Sequence, residues 1–115
     1  MLTVDALKAY GANTEEGLAR CLNNEGFYLK MVGMMAGDTH ADALTQAVVD
    51  GDLKAAFEAA HALKGSLANL ALKPALDAVT DILEPLRRRE ERTDYPEMAE
   101  KVREEMDRLQ ALIRG

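Results

Sequence analysis

The chain has 115 residues, a length that suits one domain with a modest hydrophobic core. Apolar residues make up 48% of it, which excludes intrinsic disorder, and the aromatic content of 4% favours helices packed through aliphatic side chains over a sheet. A formal net charge of -6 argues against a nucleic-acid binder and an electrostatic membrane anchor, and no apolar run reaches the length of a bilayer span.

Three helices are predicted in the first third of the chain. Thr3 as N-cap and Gly11 as terminator bracket a short first helix. Asn13 or Thr14 caps a second helix over NTEEGLARCLNNEG, which has acidic residues in its first turn. The segment FYLKMVGMMAGD continues as a third helix that ends near Gly37.

Two longer helices are predicted in the middle of the chain. The first runs from about Thr39 to Asp50 and opens with THAD, a loose capping-box pattern. Asp52 is expected to cap the second. This helix should end at Lys73-Pro74, because the residue before a proline avoids the α region.

The last two helices carry clear apolar stripes. Pro74 suits the first turn of one, and Pro85 should kink or shorten it near its end. The segment RRREERTD is expected to be a solvated hinge, after which Asp94 and Glu97 resemble a second capping box. The stripes consist of Leu76, Val79, Leu83 and Leu86, and of Met98, Val102, Met106, Leu109 and Ile113.

Together these elements predict an all-α fold, an antiparallel four-helix bundle with short additional N-terminal helices. No segment shows the alternation of a β-strand, and no glycine-rich phosphate loop or internal repeat is apparent. A single domain is expected over residues 1–115. Because a second face with a strong apolar stripe is not evident, a monomer is expected as well.

His61 stands off the apolar seam of the central helix. The seam repeats at spacings of three and four residues, and His61 lies about 130° from its centre at 100° per residue. The imidazole should therefore face solvent or the rim of a groove. The seam consists of Leu53, Ala56, Ala60, Leu63, Leu67 and Leu70.

Residues one turn away from His61 suggest an open, cationic surface. Its neighbours on the helix are Phe57 and Glu58 on one side and Lys64 and Gly65 on the other. A glycine inside a helix costs about 1 kcal/mol relative to alanine, and helix formation does not explain that cost. Gly65 is explained if another molecule must approach the imidazole, and Lys64 could attract an added phosphoryl group.

The segment HALKGSLANL resembles the signature of histidine-containing phosphotransfer (HPt) domains, in which His, two residues and Lys-Gly precede small residues and Asn. The order of the segments EGLARCL, FYLKM and GDLKAAFEAAH, and the long last helix, is also similar to that family. The family often has a second glycine where this chain has Ala71, at the end of the helix. We interpret that difference as a local adjustment.

The resemblance implies a phosphorelay carrier with His61 as phosphoacceptor, Lys64 beside the phosphoryl group and Gly65 as the open approach. A receiver domain would contact the open surface around His61, which includes Phe57, Glu58, Ala68 and Asn69. In the family, the Nε2 atom of a neutral imidazole takes the phosphoryl group from a receiver aspartate and later returns it to another. A His pKa near 6.5 suits this nucleophile.

The same resemblance implies what the chain would not contain. Mg²⁺ belongs to the partner receiver, so no cofactor and no metal are expected here. Because no nucleotide-binding segment is apparent, the chain is expected to be a carrier rather than an enzyme. The expected partners are receiver domains of response regulators or hybrid histidine kinases, with no nucleic acid and no membrane. With Cys21 as the single cysteine, a cytoplasmic location is expected.

Two other functions compete with the relay. One is a phosphate-independent adaptor that binds a receiver or kinase, although an adaptor does not need the open face that Lys64 and Gly65 form. The other is a hydrolase with His61 and Glu58 as general base, for which no nucleophilic Ser or Cys with an oxyanion partner is apparent.

Other conspicuous residues have simpler interpretations. His40 is expected to be a surface residue of a capping region rather than a metal ligand with His61. Met31, Met34 and Met35 are expected to fill the core, and a docking role beside the His61 groove is the alternative. The segment RRREER is expected to be solvated, with contact to an acidic receiver as its alternative.

Overall fold

The computed structural model describes residues 1–115, and it is all-helical, as the sequence predicts. Seven α-helices and one 3₁₀ turn, at Met34–Gly37, follow one another without a strand. The helices are α1 (Val4–Tyr10), α2 (Thr14–Arg20), α3 (Glu25–Gly33), α4 (His40–Val49), α5 (Leu53–Asn69), α6 (Lys73–Arg87) and α7 (Tyr95–Arg114).

Helices α4 to α7 form a closed antiparallel bundle. Helix α5 packs against α4 and α6, and α7 closes the ring by packing against the same two helices. The molecule measures 42 × 24 × 19 Å, with one core cluster of 27 buried residues. All members of the predicted α5 seam except the half-buried Leu53 lie in that cluster, so the apolar spacing identified the buried face correctly.

Several predicted caps form, and two do not. The side chains of Thr3, Asn13 and Asp52 accept a hydrogen bond from a backbone N–H in the first turn of α1, α2 and α5. Thr39 and Asp94 precede α4 and α7 without such a bond. The carboxylate of Asp94 pairs with Arg92 instead, and the His40 N–H donates to the carboxylate of Asp38.

The helix ends differ from prediction at two places. The third helix is α-helical only to Gly33 and continues as the 3₁₀ turn. Helix α5 ends at Asn69 rather than at Lys73, because Ala71 turns the chain in the left-handed region at φ 55°. The end of α6 agrees with the prediction for Pro85, since the helix stops two residues later, at Arg87.

Helices α2 and α3 sit on the C-terminal end of α5. The buried Tyr28 hydroxyl donates a hydrogen bond to the Leu70 carbonyl at 3.0 Å. Gly17 leaves room for the ring of Tyr28, since a Cβ at position 17 would lie 2.5 Å from a ring carbon of that tyrosine. The N-terminal helices are therefore fixed to the helix that carries His61.

Candidate functional site

One exposed face of α5 carries the predicted site. At 100° per residue, Phe57, His61, Lys64, Gly65 and Ala68 lie within about 50° of a common line along the helix. The opposite side of α5 is buried in the core. Packing of the apolar seam therefore turns this line of residues outward.

The His61 imidazole is exposed, as predicted, and it stacks on Phe57. The two ring centroids are 5.5 Å apart and the ring planes differ by 14°. No hydrogen bond or ion pair within the chain involves either imidazole nitrogen of His61, whereas His40 has one with Asp38. The stack is thus the contact that orients the ring while both nitrogens stay accessible.

The space beside His61 is open on the Gly65 side. A Cβ added at Gly65 would meet no atom within 4 Å outside its own helix. Lys64, half-buried on the same face, forms no ion pair within the chain, so its ammonium is available to an added anion. This arrangement combines an accessible nucleophile, an uncommitted cation and room for a second molecule.

Two arginines at the end of α6 reach the same face. The guanidinium carbons of Arg87 and Arg89 lie 5.4 and 5.1 Å from the centroid of the Phe57 ring, within cation–π range. The sequence predicted that the segment RRREER is solvated, with contact to an acidic receiver as the alternative, but it did not predict contact with Phe57. The pairing with Phe57 joins residues about 30 positions apart, and no local pattern encodes it.

The other end of the α5 face receives a third arginine from α2. The Arg20 guanidinium donates to the Ala68 carbonyl at 2.7 Å and also pairs with Glu16 at 2.8 Å. This contact was not predicted, since it links positions 48 residues apart. Glu16 partly offsets the charge of Arg20, whereas no carboxylate pairs with Lys64.

Asn69 lies apart from the other predicted site residues. It lines a shallow groove of about 230 Å³ with Ser66, Met31 and Met34, roughly 80° around α5 from His61. Met34 is 64% exposed, so the prediction that all three methionines fill the core was wrong for this residue, whereas Met35 is buried. Met34 lies where α3 ends and the 3₁₀ turn begins, so the α-helical spacing used for the prediction does not continue through it.

The remaining histidine has a local role. The Nδ1 atom of His40 lies 3.0 Å from both carboxylate oxygens of Asp38, and its backbone N–H donates to the same carboxylate at the start of α4. His40 therefore belongs to a helix-capping arrangement, as expected. No cluster of three or more His, Cys, Asp or Glu side chains is arranged to hold a metal ion. No helix combines the length and apolar character needed to cross a bilayer.

One protein-family model matches the chain. A family model for the Hpt domain matches residues 34–112, which is more than two thirds of the chain. The match covers the 3₁₀ turn, α4, α5, α6 and α7 up to Leu112, and it leaves out α1 to α3. No curated protein and no solved structure matches the chain significantly. The chain belongs to the Hpt domain family, and the family implies a carrier of phosphoryl groups in two-component signalling that interacts with receiver domains.

Proposed function

We propose that His61 is the phosphoacceptor of this Hpt domain and that the chain relays a phosphoryl group between receiver domains. The observation that carries the proposal is the exposed imidazole, with both nitrogens free, beside the empty space at Gly65. A phosphorylated aspartate of a receiver can approach there. His40 lacks that setting, because Asp38 engages its Nδ1 atom.

The transfer step follows from this arrangement. An imidazole nitrogen attacks the phosphorus of the aspartyl phosphate, a P–N bond forms, and the P–O bond to the carboxylate breaks. The aspartate leaves as a carboxylate, and the proton on the other imidazole nitrogen is released to solvent. Lys64 stabilises the negative charge of the transferred group, and transfer to a second receiver is the reverse step.

The receiver supplies the Mg²⁺ in this proposal, and the chain itself uses no cofactor. The residues that would face the receiver are Phe57, Glu58 and Ala68, with Asn69 at the edge of the contact. We further propose that residues 1–115 act as one domain and as a monomer in the cytoplasm. The single core cluster supports the first of these points, since it includes Leu7 and Tyr28 together with the bundle.

The adaptor alternative makes a different prediction for a mixture of the chain with a phosphorylated receiver domain. An adaptor would bind the receiver and stay unlabelled. Hydrolysis by His61 with Glu58 receives no support, because no hydrogen bond joins the two side chains and Ser66 lies in the methionine groove, about 140° around α5 from His61.

A transfer assay with a matched control tests the proposal. The wild-type chain, His61→Gln and His40→Gln are each incubated with phosphorylated receiver domains, and the label on the chain is tested for loss in acid and retention in alkali. We expect acid-labile, alkali-stable label on the wild type and on His40→Gln, and none on His61→Gln. Label that survives His61→Gln, or a wild type that no receiver labels, would overturn the proposal.

A further inference from the structure

The charged residues between α6 and α7 are largely paired with one another. Arg88 pairs with Glu90 at 2.5 Å, and Arg92 pairs with Asp94 at 2.8 Å and with Glu90 at 3.4 Å. The hydrogen bond from Arg88 lowers the pKa of the Glu90 carboxyl, so this pair is charged at neutral pH.

Arg89 is the one arginine of this segment that forms no ion pair. At the end of α6, Arg87 pairs with Glu84 at 3.7 Å, whereas no carboxylate lies within that range of Arg89. Glu91, the remaining acid of the run, lines a groove with Val48 and Gly51 near the turn between α4 and α5. The guanidinium of Arg89 is therefore an uncompensated cation.

The backbone of Arg89 adopts a conformation that disfavours arginine. Its φ of 52° lies in the left-handed region, where the turn after a helix usually has glycine or asparagine. The Arg89 N–H donates to the Leu86 carbonyl, and its guanidinium donates to the same carbonyl at 2.7 Å. The side chain is thus held back over the end of α6, above Phe57.

This position places the free cation beside the phosphoacceptor. Phe57 contacts the guanidinium at 5.1 Å and the His61 ring at 5.5 Å, both measured to ring centroids. The Arg89 charge therefore lies at most about 11 Å from the centre of the imidazole, a distance comparable with the Debye length of about 8 Å at physiological salt. The rest of the molecule has a net negative charge, since the whole chain carries -6.

We propose that Arg89 is a docking residue for the acidic phosphorylation surface of the receiver, and this inference rests on the proposed function of His61. A surface that presents carboxylates and an aspartyl phosphate is repelled by an acidic carrier. An exposed cation next to His61 offsets that repulsion where the two proteins meet, and it accelerates their encounter rather than the chemical step.

Two variants with the same change of net charge test the inference. Arg89→Gln and Arg88→Gln each remove one positive charge from the same segment, and only the first removes a cation that lies over Phe57. Transfer is followed from a phosphorylated receiver that labels the wild type, at low chain concentration and over a range of salt. Phosphoramidate, a small phosphoryl donor, tests the reactivity of His61 without any receiver.

The docking role predicts a specific pattern of rates. Arg89→Gln should lower the second-order rate constant from the receiver about tenfold at low salt, and Arg88→Gln should change it less than about twofold. The rate at saturating chain and the rate with phosphoramidate should stay at the wild-type values. Arg89→Lys should retain most of the receiver rate. Arg89→Gly should reproduce the loss although glycine suits φ 52°, so impaired folding would not explain it.

Three results would overturn the docking role. They are equal losses in the two glutamine variants, no loss in Arg89→Gln, and a loss in Arg89→Gln that also appears with phosphoramidate. A wild type that accepts no phosphoryl group on His61 from either donor would overturn the proposed function itself. The failure of one proposal is therefore distinguishable from the failure of the other.

Discussion

The Phe57 ring stacks on the His61 imidazole with 14° between the two planes, and no hydrogen bond within the chain orients that imidazole. A stacked aromatic pair contributes about 0.5–1.5 kcal/mol beyond the burial of its area. Loss of the stack frees the imidazole to rotate away from the reactive orientation. Phe57 is thus a positioning residue for the proposed phosphoacceptor.

We expect Phe57→Leu to slow phosphorylation of His61 by phosphoramidate about twofold to tenfold, which corresponds to the energy of the stack. Phe57→Tyr should retain the wild-type rate. The proton resonances of the His61 ring should lose their upfield ring-current shift in the leucine variant alone. Equal rates for Phe57→Leu and wild type, with the upfield shift gone, would show that stacking does not position the nucleophile.

Two substitutions at Gly65 should separate an effect on the stability of the fold from an effect on phosphoryl transfer. Because no atom lies near a Cβ at this position, Gly65→Ala should raise the free energy of unfolding by about 0.5–1 kcal/mol, through helix propensity alone. Denaturant unfolding measures this. Gly65→Leu should retain the helical fold and slow transfer from a receiver, since the side chain fills the approach to His61. Wild-type transfer by Gly65→Leu would contradict the role of the open face.

Ala71 occupies a position with glycine geometry. Its φ of 55° is unfavourable for alanine, and its carbonyl accepts a hydrogen bond from the Asn13 N–H at 3.0 Å. Ala71→Gly should therefore stabilise the fold by about 0.5–1 kcal/mol. The residue is only 1% exposed, so the transfer rate should not change. A lower unfolding free energy for Ala71→Gly would show that the packing of the methyl group outweighs the backbone strain.

Alkaline pH should destabilise the fold through the buried tyrosines. Burial raises the pKa of Tyr28 from its ordinary value of 10.0 to about 12, and burial also raises the pKa of Tyr10 to about 12. The unfolded chain loses these protons first. The stability that the neutral hydroxyls contribute is therefore complete below pH 10 and is lost as the pH rises from 10 towards 12.

Tyr28→Phe separates this effect from other alkaline effects. The variant should be less stable at neutral pH by about 1 kcal/mol, because the Leu70 carbonyl loses its donor. Its free energy of unfolding should then fall less steeply above pH 10 than that of the wild type. Parallel curves for the two proteins in urea unfolding between pH 8 and pH 11 would contradict the assignment to Tyr28.

The sequence was sufficient for the features that depend on neighbouring residues. The spacing of alanine and leucine in α5 predicted its buried face, and it therefore predicted that His61 is exposed. The caps at Thr3 and Asp52 were predictable because an N-cap bond spans three residues. The cap predicted at Asp94 was wrong, because Arg92 competes for the same carboxylate.

The contacts around His61 that join distant helices could not be predicted. Arg89 reaches Phe57 because α6 runs antiparallel to α5 and returns its C-terminal end to the start of that helix. Arg20 reaches the Ala68 carbonyl because Gly17 and Tyr28 set how α2 packs. Each of these contacts requires the positions of two helices, and a pattern within one helix does not contain that information.

The proposed relay requires a bond between phosphorus and a ring nitrogen of His61. Nitrogen-15 and phosphorus-31 NMR of the chain after transfer from a phosphorylated receiver detects that bond and assigns it to one histidine. We predict a phosphorus–nitrogen coupling to a His61 ring nitrogen, with the His40 resonances unchanged. A coupling to His40, or a receiver that loses its phosphoryl group while both histidines remain unmodified, would contradict the account.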